Sequence, residues 1–256
     1  MTAVIDGALL WRSLEDVSAF GATPAGGLHR LAASAQDGQA RDYVASAARD
    51  MGCQVRIDAV GNIFMRRPGT VAGAAAILVG SHLDSQPMAG KYDGPFGVMA
   101  GLAVLRALHA AGTPTRHSVE LVVWTNEEGA RFAPAMMGSA CYSGRLDSRQ
   151  ALNTADENGV TLAHALEAIG YRGSDHVEPS EHACYLETHI EQGPLLEVGD
   201  TAVGVVTAVQ GMRWTKVSLT GQAGHAGTYP MPTRRDALVA AAAVVTAVRS
   251  EEHTSE

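Results

Sequence analysis

Cysteine is scarce in this chain: three residues, Cys53, Cys141 and Cys184, lie far apart among 256. Their odd number and wide spacing exclude a disulfide framework and a paired CxxC metal knuckle, so a reducing, cytoplasmic setting is expected. Basic residues are also in short supply. Nineteen Lys and Arg face 27 Asp and Glu, for a net charge of −8, and no basic run exceeds two residues. Neither nucleic acid nor an anionic membrane is therefore expected as a partner, and a small anionic substrate would need local arginine. No apolar run is long enough to cross a bilayer, and the N-terminus lacks a basic segment followed by an apolar one, so neither insertion nor export is expected. A phosphate loop is excluded too, because Gly90-Lys91 lacks the required glycine spacing and the Ser or Thr after Lys. Apolar side chains, by contrast, make up 46% of the chain. That is ample for one large domain, or one domain and part of another.

The chain is organised around residues 80–97, GSHLDSQPMAGKYDGPFG. An apolar run over 75–79 leads into this stretch like a buried strand, and residues 98–108 follow with helical apolar spacing. His82, Asp84 and Asp93 thus fall in the loop closing a strand. In open α/β sheets ligands bind in the crevice beyond the carboxyl ends of the strands, and imidazole with carboxylate suits zinc or manganese. The alternative is a polar turn whose His and Asp only cap and hydrogen-bond. Further ligands elsewhere would decide between the two.

Residues 6–20 and 37–51 read as helices, and residues 55–64 as a strand pair around the turn signal Asp58-Ala59-Val60-Gly61-Asn62. Residues 119–125 form a continuous apolar run, as expected of a strand buried on both faces, and end in Asn126-Glu127-Glu128-Gly129. Two carboxylates there are costly unless a cation satisfies them or the strand end is solvated. They can serve separate roles only if the chain turns, which Gly129 would allow. A helix is expected over 160–170 and a strand over 182–190, with Tyr185, Glu187 and His189 on one face. Three strands so deliver possible ligands to one rim: His82 and Asp93, Glu127 and Glu128, and His189. His109, His117, His164, His176 and His182 have no comparable setting and read as surface or core residues. From Thr201 the texture changes to two expected strands, 203–209 and 214–220, then a Gly-rich turn holding His225. An Ala/Val-rich helix opens at Pro232-Thr233-Arg234-Arg235-Asp236, with Thr233 and Asp236 at capping-box spacing. On local evidence alone His225 reads as a satisfied turn histidine.

Together GSHLDS with GKYDGPFGV, TNEEGARF, ETHIEQGP and GQAGHAGTYPMPTRRDA resemble the amidase/hydantoinase/carbamoylase branch of the dinuclear metal aminoacylase and carboxypeptidase superfamily. The resemblance implies an α/β fold: a three-layer catalytic domain on a mostly parallel sheet, followed by the start of an inserted α+β lid domain that mediates dimerisation. It implies a catalytic part over 1–206 and a lid part over 207–248. His82 and His189 would bind one divalent metal, Asp93 would bridge two, and Glu128 would bind the second; zinc, manganese, cobalt or nickel all suit such ligands. Glu127 would be the general base and Asp84 would orient His82. Gln192 and Arg213 match substrate-binding positions, and His225 matches a lid histidine that reaches the partner subunit's active site in a homodimer. The activity implied is hydrolysis of N-carbamoyl-L-amino acids, small anionic ureido compounds. Allantoate or 3-ureidopropionate hydrolysis is the alternative within the class, and a non-catalytic metal-binding relative the alternative outside it. Gly211-Met212-Arg213-Trp214 looks more like the carbamoylase members.

Members of that branch are longer than this chain, so it is expected to stop within the lid, leaving the second metal site incomplete, and to continue natively beyond Val248. Residues 249–256, RSEEHTSE, are expected to be foreign, since they match a translated sequencing adapter.

Overall fold

A computed structural model describes residues 3–209, 211 and 215–251. The chain separates into two units, Met1–Pro194 and Leu195–Glu256.

The first unit opens with α1 (Gly7–Ser18), whose N-cap Asp6 accepts the Leu9 N–H, and α2 (Ala35–Asp50), capped by the Ser34 hydroxyl. Strands β1 (Gln54–Ile57) and β2 (Ile63–Arg67) form the expected pair. The Asp58 carboxylate shapes the turn between them by accepting N–H groups of Val60 and Asn62 and the Asn62 side-chain amide. Then come β3 (Ala76–His82), α3 (Pro95–Ala110) and β4 (Val119–Trp124). Three short helices follow, α4 (Met137–Tyr142), α5 (Ser148–Leu152) and α6 (Leu162–Ala168), and β5 (His182–Leu186) closes the sheet.

The sheet order is β1-β2-β4-β3-β5. Only β2 pairs antiparallel, with β1 and with β4, while β3 is parallel to both β4 and β5. Four of the five strands therefore run one way, and the sheet is mostly parallel as expected. Successive β4 residues serve opposite faces. Leu121 and Val123 join Ile63, Met65 and the apolar sides of α1, α2 and α3 in the main core, whereas Val122 and Trp124 pack with Phe64, Leu78, Val177 and Tyr142 on the other face. Glu120 shares that second face and is fully buried. It is paired with Arg56 at 3.0 Å, Arg66 at 3.7 Å and His182 at 2.9 Å, so His182 is a core histidine held by an ion cluster.

Register places the site. His82 lies opposite Trp124, so the loops leaving β3 and β4 emerge side by side. Leu186, the last residue of β5, lies opposite Val79, and the chain reaches His189 three residues beyond the strand.

In the second unit α7 (Leu195–Val198) and α8 (Ala237–Glu251) are the α-helices among the described residues. Four expectations need correction. β5 ends at Leu186, because the chain beyond it makes no further ladder with β3. Residues 203–209 and the described residues 215–220 are not strands, since none of them pairs with a neighbour there and a strand exists only through its partner. Helix α8 starts at Ala237, with Asp236 accepting the Leu238 and Val239 N–H groups. Thr233 instead ends a 3-10 turn, Met231–Thr233, and donates its hydroxyl to the Pro230 carbonyl. No helix among the described residues is long and apolar enough to cross a membrane.

Candidate metal centre

His82 ends β3 almost wholly buried, 3% exposed. Its Nδ1 lies 2.8 Å from the Asp84 carbonyl oxygen, which fixes the N–H on that nitrogen and turns Nε2 outward. His189 is arranged likewise, Nδ1 at 2.8 Å from the Ile190 carbonyl and Nε2 at 3.1 Å from an Asp93 oxygen. One ligand atom each from His82, Asp93 and His189 fall within 4.8 Å of one another. The triad draws on the end of β3, the segment after β5 and the loop before α3. That loop ends at Gly94, the N-cap of α3, at φ 79°; a Cβ there would lie 2.5 Å from both ring nitrogens of His82. Gly94 thus lets the Asp93 backbone fold against the imidazole.

The loop after β4 turns sooner than Gly129 alone would require. Asn126 has φ 51°, and its buried amide donates to the carbonyls of Phe132 at 2.7 Å and Pro134 at 3.2 Å; Gly129 follows at φ 68°. The two successive glutamates therefore diverge. Glu127 Oε2 lies 3.4 Å from His82 Nε2. Glu128 stands apart from the triad, its carboxylate accepting two N–H groups of Gln86. Asp84 is also fully buried, and its carboxylate accepts the backbone N–H of Glu127 and of Glu128, each at 3.2 Å. Its contact with His82 runs through the backbone carbonyl, with the nearer carboxylate oxygen 3.8 Å from Nδ1.

Four carboxylates around two imidazoles leave a surplus of negative charge. Burial, reinforced by Asp84, Glu128 and Asp93, pushes Glu127 above the usual carboxylate range, and burial raises Asp84. The His189 hydrogen bond holds Asp93 low against its burial. The same bond lifts His189 to about 9, and Asp84 and Glu127 outweigh burial to raise His82. Outward-facing imidazole nitrogens, a converging carboxylate and a negative surround form a donor set that fits a divalent cation.

Gln192, at φ 55°, donates to the second Asp93 oxygen at 2.7 Å. His225 belongs to the second unit, where its Nδ1 accepts the N–H groups of Gly227 and Thr228. It lines a cavity of about 360 Å³ with Tyr229, Arg234 and Asp236. Arg213, Met212, Trp214 and residues 252–256 lie outside the described residues. Sequence reasoning passed over Gln86 and Asn126. An Asn at a strand end is a signal for a left-handed turn, whereas nothing in the sequence marks Gln86.

The sequence profile of peptidase family M20/M25/M40 matches residues 78–256, which include every one of these groups. The chain belongs to that family. Within the M20 family it is similar to a hydantoinase/carbamoylase family amidase from Burkholderia vietnamiensis, with 46% identity and a TM-score of 0.91 over 98% of this chain and 61% of that one. It is 40% identical to an N-carbamoyl-L-amino acid amidohydrolase of Geobacillus stearothermophilus, over 97% of this chain and 61% of the relative. A ureidoglycolate hydrolase of Oryza sativa is 36% identical over 98% of this chain and 53% of its own length. The chain thus spans about three fifths of the length of the first curated M20 relatives it matches. Metal dependence is general in the M20 family, and His82, Asp93 and His189 form a group that could hold such an ion.

Proposed function

We propose that the whole protein is a metal-dependent amidohydrolase that cleaves the carbamoyl C–N bond of N-carbamoyl-L-amino acids, giving the amino acid, ammonia and carbon dioxide. The observation carrying this reading is the convergence of His82, Asp93 and His189 with Glu127 beside them. The Geobacillus relative and others carrying the same name support the substrate class. The rice relative favours ureidoglycolate as a second reading.

In this reading His82 and His189 would hold one ion, Asp93 would bridge to a second, and Glu128 would hold that second ion. Zinc, manganese, cobalt or nickel would suit these donors. Such cations supply Lewis acidity, polarising a carbonyl and lowering the pKa of a water. The proton work falls to Glu127, which takes a proton from the attacking water and hands it to the leaving nitrogen. Asp84 fixes the backbone of Glu127 and Glu128 through its two N–H contacts while its carbonyl sets the His82 tautomer. Gln192 steadies Asp93 and lies beside the substrate, Arg213 binds the substrate carboxylate, and His225 stabilises the developing oxyanion of a partner subunit. Residues 1–206 form the catalytic part and 207–248 the start of a lid through which a homodimer assembles. Because Glu127 touches His82 without belonging to the triad, Glu127→Gln should abolish ammonia release from an N-carbamoyl-L-amino acid and leave bound metal unchanged. Substantial residual turnover would remove Glu127 as the base.

A further inference from the structure

Both carboxylate oxygens of Glu128 are held by a single residue. The Gln86 backbone N–H donates to Oε1 at 3.2 Å and the Gln86 side-chain amide donates to Oε2 at 3.0 Å. The same amide nitrogen lies 3.1 Å from the Glu128 backbone carbonyl. Gln86 comes from the loop after β3 and Glu128 from the loop after β4. Two residues earlier Asp84 accepts the Glu128 N–H, so one short segment grips both the backbone and the side chain of Glu128. Fixing a glutamate side chain costs up to about 2 kcal/mol of rotamer freedom, a cost these contacts meet before any ligand arrives. A carboxylate that coordinates a cation through one oxygen keeps the other for a hydrogen-bond donor, and such outer partners orient the ligand and tune its affinity.

We propose that Gln86 is a positioning residue that presents the Glu128 carboxylate to a divalent cation. The proposal rests on the reading of Glu128 as ligand to a second ion. Gln86 makes no contact with His82, Asp93 or His189 among its hydrogen bonds. Its loss therefore weakens one ion and spares the other. A residue that merely tied two loops together would act on both.

Zinc titrated calorimetrically into the metal-stripped whole protein tests this. The wild type takes two equivalents, and Glu128→Gln loses the second. Gln86→Met, close in shape but without the side-chain donor to Oε2 and to the Glu128 carbonyl, weakens the second equivalent about 10- to 100-fold and leaves the first unchanged. Gln86→Leu likewise keeps the backbone N–H, removes the side-chain donor and adds no charge, and it carries the same expectation should the Met variant fail to fold. An unchanged second equivalent in the folded variant, or equal weakening of both, overturns the proposal. A wild type that takes one equivalent, or a Glu128→Gln protein that still takes two, overturns the Glu128 reading itself. That failure appears with Gln86 intact and so is distinct from the first.

Discussion

Gly94 has no room for a side chain. Its φ of 79° is one that L residues adopt only under strain, and the site of a Cβ is already filled by the His82 ring. Gly94→Ala should therefore displace either the imidazole or the Asp93 backbone, both of which serve the triad. Strained backbone costs about 1–3 kcal/mol, within what a core of this size tolerates. The expected outcome is a folded protein, by circular dichroism, whose divalent-metal affinity has dropped at least about tenfold. Wild-type affinity in Gly94→Ala would mean that the His82 ring is not held where the triad requires it. Asn126 is the comparable residue on the β4 side. Its left-handed backbone and two side-chain hydrogen bonds turn the chain so that Glu127 approaches His82 while Glu128 swings to Gln86.

The strands show what an element contributes beyond its apolar pattern. Glu120 breaks the run of β4, and on the face it shares with Val122 and Trp124 it is buried against Arg56, Arg66 and His182. Burial alone would raise its carboxyl, but His182 and Arg56 outweigh that and hold it below the ordinary value of 4.5. A carboxylate depressed in the folded state contributes stability above its unfolded pKa and loses it as pH falls through the folded one. The stability gap between wild type and Glu120→Gln, measured by urea unfolding, should be full at neutral pH and shrink as pH drops below about 4.5. A gap that persists in acid would show that the cluster does not depend on Glu120 ionisation. The same comparison marks what the sequence makes legible. Buried runs such as 75–79 and 119–125 announce β3 and β4, and the loops at their ends announce His82, Asp93, Glu127 and Glu128. Pairing is less legible: nothing local to 187–190 says that β5 stops at Leu186, because a strand end is set by its partner. The helix α8 start at Ala237 turned on which of two capping residues faced the first free N–H groups. Gln86 was invisible for a related reason, since its role depends on a loop more than forty residues away.

Across the chain the first unit carries the triad, Glu127, Asp84 and Gln86, and the second carries His225. The curated relatives extend well beyond the part this chain matches, so activity is a property to be measured on the whole protein. The net charge of −8 makes the acidic surplus at the rim part of a wider negative field, and attraction of a divalent cation follows the sign of that field. The proposed carboxylate-bearing substrate would then need local groups to draw it, the role proposed for Arg213. The most direct measurement is ammonia release from N-carbamoyl-L-amino acids, with ureidoglycolate, allantoate and 3-ureidopropionate in parallel, before and after chelation and after return of zinc, manganese, cobalt or nickel. Turnover of an N-carbamoyl-L-amino acid that chelation abolishes and a divalent ion restores is the expected result. Turnover indifferent to chelation, or confined to the other ureido compounds, would contradict the account.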